Sequence, residues 1–192
     1  MELAIASFLY DPAQVQVLET IAESSGLREP SCPIPRAASR ISGIARRSVR
    51  GPGLDYRRIR ALARQADFIV AHYAQFDRGF VERLMTSFRR ATWLCSRDGI
   101  DWWAKGFESR ALDELVAARG IENPSPHRAG GDAALLALLS CRPKHHKPYS
   151  CELLRKAGLI KTRRSGKLVR SRVAAKTAAA VISSRAIPGD HV

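Results

Sequence analysis

The run Phe68-Ile69-Val70-Ala71 constrains the fold of this chain more than any other stretch. It is four consecutive apolar residues between Asp67 and His72, followed at once by a helical pattern. A strand with one wet face alternates apolar and polar side chains, whereas a short continuous apolar run suits a strand buried on both faces. Phe76, Phe80, Val81, Leu84 and Phe88 then recur at helical intervals, which predicts a helix over Phe76 to Phe88 lying back on that strand. A buried strand running into a helix is the unit of a layered α/β domain, and such domains place ligands at the carboxyl ends of their strands.

The neighbouring segments read the same way. Glu2 to Tyr10 and Val15 to Ile21 predict a β-hairpin around the turn residues Asp11-Pro12-Ala13-Gln14. Ser24 to Gly53 carries prolines and glycines without a sustained period and predicts a long connection with a helical turn near Ala37 to Ile41. Asp55 to Gln65 predicts an amphipathic helix, with Ile59, Leu62 and Ala63 inward and Arg57, Arg58, Arg60 and Arg64 on other faces. Thr92 to Ser96 reads as a second buried strand. Ala111 to Arg119, stopped by Gly120, and Asp132 to Leu139 read as helices.

Charge narrows the partner. The 192 residues carry a formal net charge of +14, and from Arg142 onward 13 Lys and Arg face only Glu152 and Asp190. Lys and Arg that neutralise phosphates release condensed counterions, so this balance favours a polyanion such as nucleic acid; a solvated surface is the other reading. No apolar run approaches the roughly 20 residues that span a bilayer, and no basic stretch precedes Leu3 to Tyr10, so a cytoplasmic protein without a membrane partner is expected. The tail lacks the aromatic residues of helices that lie on membranes. Cys32, Cys95, Cys141 and Cys151 are too scattered for a disulfide framework and read as reduced thiols. A zinc site from Cys141, His145, His146 and Cys151 has the right residue types, but the spacing matches no finger pattern.

Two clusters carry chemistry. In His72-Tyr73-Ala74-Gln75-Phe76-Asp77, Asp77 falls in the first helical turn after the buried strand. There it can hold a hydrated cation, or simply cap backbone amides against the helix dipole. In His127-Arg128-Ala129-Gly130-Gly131-Asp132, the carboxylate opens a helix while the imidazole precedes it in a loop. That suits a general base that must reach a metal-bound water; a surface histidine is the plainer alternative.

Taken together, Ala66 to Phe80 resembles the second motif of the DNA polymerase III epsilon-like 3′→5′ exonucleases, which are DEDD-type enzymes of the RNase H-like superfamily. Ser96-Arg97-Asp98-Gly99-Ile100-Asp101-Trp102 and Gly106-Phe107-Glu108-Ser109 are similar to the segment joining motifs two and three in one branch of that family. His127-Arg128-Ala129 with Asp132 looks like motif three, while Ser25 to Pro30 and Ile41 to Ile44 are similar to the connection after the family's hairpin. The likeness spans about residues 1 to 140.

The resemblance implies an α/β, RNase H-like mixed sheet flanked by helices, and two-metal, Mg- or Mn-dependent hydrolysis of the terminal phosphodiester of DNA with a free 3′ end. It assigns Asp77 and Asp132 as metal ligands and catalytic carboxylates and His127 as the base. Tyr73, Phe76 and Arg128 become the residues nearest the nucleic acid, and a DNA polymerase becomes a candidate partner. Tyr73 stands where the family usually has Asn.

The family's first motif, an Asp-x-Glu on the first central strand, has no counterpart here; it would lie before Glu2, and Glu2 and Glu19 sit on the hairpin instead. Two ions roughly 4 Å apart need a dense carboxylate cluster, so the pair is expected to bind weakly or not at all, leaving a catalytically inactive nucleic-acid-binding remnant as the alternative to an active enzyme. The missing strand would leave two inner sheet edges unpaired and the domain poorly stable. Residues 141 to 192 are expected to form a basic tail, mobile or partly helical, with Leu168 to Ser183 as its helix.

Overall fold

The structure is a computed structural model that describes residues 2–11, 16–30, 33–50, 53–123, 132–142, 147–159, 161–162, 168–169 and 177–185. The chain opens with strands β1 (Glu2–Asp11) and β2 (Gln16–Leu27). Helices α1 (Arg36–Ser42) and α2 (Tyr56–Gln65) follow, then strand β3 (Phe68–Ala71) and helix α3 (Ala74–Leu84). Strand β4 (Trp93–Cys95), the short helix α4 (Ser96–Gly99) and helices α5 (Leu112–Ala117), α6 (Asp132–Ser140) and α7 (Tyr149–Lys156) complete the middle of the chain. After the two-residue strands β5 (Lys161–Thr162) and β6 (Leu168–Val169), which pair with each other, comes β7 (Thr177–Arg185).

The main sheet has the order β2-β1-β7-β3-β4. β1 and β2 are antiparallel, with register shifts at Ser7/Phe8 and Leu9/Tyr10. β3 and β4 are parallel. β7 joins the two pairs: it runs antiparallel to β1, with Ile5 opposite Ile182, and parallel to β3, with Ile69 opposite Ala180.

The inner edges of β1 and β3 are not left open, because β7 supplies partners to both. Nor are the described parts of the segment from Leu168 to Ser183, Leu168–Val169 and Thr177–Ser183, helical: Ala178, Ala179 and Ala180 favour helix intrinsically, but strand pairing on two sides outweighs a preference of less than about 1 kcal/mol per residue. Within residues 141 to 192, helix α7 buries Tyr149, Cys151, Leu153 and Leu154.

Period-two alternation explains why both sheet faces carry helices. Leu3 and Ile5 of β1 and Ile69 of β3 face one side, where Ile59 and Leu62 of α2 and Val81 of α3 cover them together with Met85 and Phe88. Phe8, Tyr10, Phe68 and Val70 face the other, against Leu115 and Val116 of α5, Leu135 and Leu138 of α6, and Leu153 and Leu154 of α7. Trp102 anchors this second layer, with its ring centroid 5.4 Å from Phe107 and 5.1 Å from Tyr149.

α2 starts where Asp55 accepts a hydrogen bond from the Arg58 amide, 2.9 Å. Cys95, Cys141 and Cys151 are free thiols. Among the described residues no helix is long and apolar enough to cross a membrane.

Candidate functional site at the carboxyl end of β3

β3 delivers His72 and Tyr73 to the edge of the sheet, and α3 begins one residue later. Asp77 lies in the first turn of α3 and is 5% exposed. Its amide donates to the Tyr73 carbonyl at 3.2 Å, and the helix dipole favours a carboxylate there.

His72 is the structural centre of this corner. Its Nε2 lies 2.7 Å from the Arg110 carbonyl and its Nδ1 3.0 Å from Ser96 Oγ. A carbonyl can only accept, so Nε2 donates to it. In the neutral ring, which burial favours, Nδ1 then accepts from the serine hydroxyl and both nitrogens are satisfied. Burial holds its pKa below the ordinary histidine value, with Arg97 adding to the effect and the Arg110 hydrogen bond opposing it. The His72 carbonyl in turn accepts from the Arg97 amide at 2.9 Å and from Cys95 Sγ at 3.4 Å. Arg110 Nη1 donates to Asp98 at 3.0 Å. These bonds tie the end of β3 to β4, α4 and the segment before α5.

This network sets a pH dependence. A histidine whose folded pKa is depressed takes up its proton more readily when unfolded, so stability is fully present above about pH 6.5 and declines as pH falls below it. Thermal unfolding from pH 8 to 5 should show Tm dropping below about pH 6.5, and His72→Gln should flatten that drop. Glu152 acts at lower pH. Burial opposes its ionisation, but hydrogen bonds from Lys105, Lys156 and the Asp101 amide outweigh that and hold its pKa down to about 2.

Aromatic side chains border the corner. Tyr73 is 42% and Phe76 39% exposed, with rings nearly parallel at 6° and centroids 6.1 Å apart. The Arg97 guanidinium sits over Tyr73 at 4.5 Å. Phe76 also meets Phe80 at 5.0 Å, and Arg83 lies over the Phe80 ring at 5.1 Å.

Of the residues singled out in the sequence, Tyr73, Phe76 and Asp77 thus share one helix start. Asp132 is the first residue of α6, a helix that packs on β1 and β7, but its side chain lies outside the described residues, as do His127 and Arg128 altogether. The roles of His72, Ser96, Arg97 and Arg110 were not legible beforehand, because residues 24 and 38 positions apart meet here only through the parallel pairing of β3 with β4.

The strand beside β3 supplies no further acid. β7 reads Thr-Ala-Ala-Ala-Val-Ile-Ser-Ser-Arg, and it brings Ile182, Ser183 and Ser184 toward the edge where β3 gives way to α3. Among the described residues no group of three or more His, Cys, Asp or Glu could hold a metal ion. The buried carboxylates described at this end of the sheet are Asp77, at the start of α3, and Glu2, which opens β1 opposite Arg185 of β7; the Asp132 side chain and His127 lie outside the described residues. No protein-family model matches the chain, and no curated protein matches it significantly.

Proposed function

We propose that this chain is a nucleic-acid-binding domain of the DNA polymerase III epsilon-like, RNase H-like exonuclease type, with little or no hydrolytic activity of its own. The observation that carries the reading is the place of β7. It sits between an antiparallel hairpin and the β3–β4 pair, antiparallel to the first and parallel to the second, which is where that fold puts its first central strand. The buried carboxylate of Asp77, at the helix start after β3, is where the resemblance puts the motif-two acid.

The same strand favours binding over cleavage, because Thr177–Arg185 contains no Asp or Glu. In this reading Asp77 and Asp132 would be metal ligands and His127 the base, without the two carboxylates of an Asp-x-Glu motif. The formal charge of +14 supplies affinity for phosphates without metal chemistry. A DNA 3′ end is the substrate class, and a polymerase the partner class, that belong with this reading.

The test pairs two measurements on the full chain. Binding to a labelled oligonucleotide should weaken steeply with salt: about four neutralised phosphates on a single strand give a slope of about −3 in log K against log salt. With Mg or Mn and 3′-labelled single-stranded DNA, shortening should not exceed that of an Asp132→Ala variant. Metal-dependent shortening that Asp132→Ala abolishes would restore the exonuclease reading, and absence of binding at low salt would sink both.

A further inference from the structure

We infer that the arginine-rich face made by α2 and by the turn Thr86–Arg90 after α3 is a docking surface for an acidic, partly apolar segment of another polypeptide. This face is independent of the nucleic-acid reading and lies toward the opposite ends of the parallel strands. α2 carries Arg57, Arg58, Arg60 and Arg64 within ten residues, all four exposed, and contains no acid. Arg57 and Arg64 share one stripe, about 10 Å apart along the axis, with Arg60 beside it. Like charges at i,i+3 and i,i+4 destabilise a helix, and Arg57 and Arg58 stand in its first turn, where the dipole disfavours cations. Fold stability therefore does not account for the pattern, whereas a partner that brings negative charge does.

The stripe leads into a cleft of about 220 Å³ at the amino ends of β3 and β4. The exposed Arg64 and Arg90 line it with the hydroxyl residues Ser87 and Thr92, and Phe88 with three alanines adds an apolar lining. Among the described residues neither guanidinium is paired with a carboxylate. The backbone beneath is fixed, because the Ile69 amide donates to the Thr92 carbonyl at 2.8 Å. Asp67 lines the same cleft and selects the occupant. A phosphodiester strand carries a charge at every unit and meets that carboxylate with repulsion. A polypeptide can set a neutral or basic residue against Asp67 and acidic residues against Arg64 and Arg90, with an aliphatic side chain between them on the apolar lining. The occupant is thus a segment in which Asp or Glu flanks an apolar residue, with further acids along α2 for Arg60 and Arg57.

The experiment measures anisotropy of a labelled peptide of repeated Glu-Leu-Asp with the full chain and three variants. Arg64→Glu and Arg90→Glu each reverse one charge in the cleft. Arg155→Glu makes the same change in net charge on α7, which packs on the other face of the sheet. All three positions are exposed, and circular dichroism melting checks that each variant folds. Docking predicts that Arg64→Glu and Arg90→Glu each weaken peptide binding by about 5- to 30-fold, while Arg155→Glu changes it less than about twofold. Equal losses in all three variants would reduce the effect to net charge and overturn the inference. So would a labelled oligonucleotide that displaces the peptide and loses affinity in Arg64→Glu but not in Arg155→Glu, since the face would then serve a polynucleotide. A wild-type chain that does not bind the peptide also overturns it, and leaves the nucleic-acid reading untouched.

Discussion

An Ala180→Pro variant should lose cooperative unfolding at 25 °C. Ala180 stands opposite Ser7 on one side and Ile69 on the other, so its amide faces a paired neighbour whichever way it points. Proline removes that donor, and its ring does not fit an interior strand. β1 is buried from Glu2 through Phe8, so the carbonyls that lose partners there have no water to turn to. Each buried unpaired group costs about 1 to 3 kcal/mol, and releasing β7 strands several at once, against a typical domain stability of about 5 to 15 kcal/mol. Near-UV circular dichroism and urea titration are the readouts. An Ala180→Pro chain that unfolds cooperatively within about 1 kcal/mol of the parent would show that β7 does not lie between β1 and β3. Native-state hydrogen exchange offers an independent check: amides of β1 and β7 should be among the slowest.

The second large effect is at Trp102, which is completely buried. Its indole packs edge-on against Phe107 and Tyr149, and Nε1 donates to the Ser96 carbonyl at 2.9 Å. Trp102→Ala should cost about 3 to 5 kcal/mol, combining the lost apolar contact with the cavity left behind. Trp102→Phe keeps much of the packing but forfeits the hydrogen bond, and should cost about 1 to 3 kcal/mol. Urea unfolding followed at 222 nm separates the two. Because Ser96 also binds His72, the Ala variant should loosen the Tyr73 corner as well.

Much of the domain could be read from local pattern. Phe68 to Ala71 is a strand within one residue of its expected limits, and the helix expected from Asp55 is α2, with Asp55 as its cap. The helix expected over Phe76 to Phe88 is α3 followed by a tighter turn, Thr86–Arg90. The hairpin was expected to end near Ile21, but β2 runs on to Leu27. Ala22 to Gly26 shows no clean apolar alternation because β2 is the sheet edge and pairs on one side only. α7 was not anticipated at all: its Ser, Cys and Arg diluted the pattern, and its burial depends on the aromatic cluster around Trp102.

The candidate site divides similarly. Tyr73, Phe76 and Asp77 follow from one strand running into one helix, a local arrangement. What holds Tyr73 in place, and what lies beside it across the sheet, does not.

Side-chain pattern alone, through the unbroken apolar run in β3 and the helical spacing of Phe76, Phe80, Val81 and Leu84 after it, determined that this chain folds as a layered α/β domain with a buried inner strand. Only the tertiary structure decided which segment occupies the centre of the sheet. Thr177–Arg185 carries no pattern that distinguishes a strand from an alanine-rich helix. Its conformation is set by two sets of backbone donors and acceptors, on β1 and β3, that require a partner.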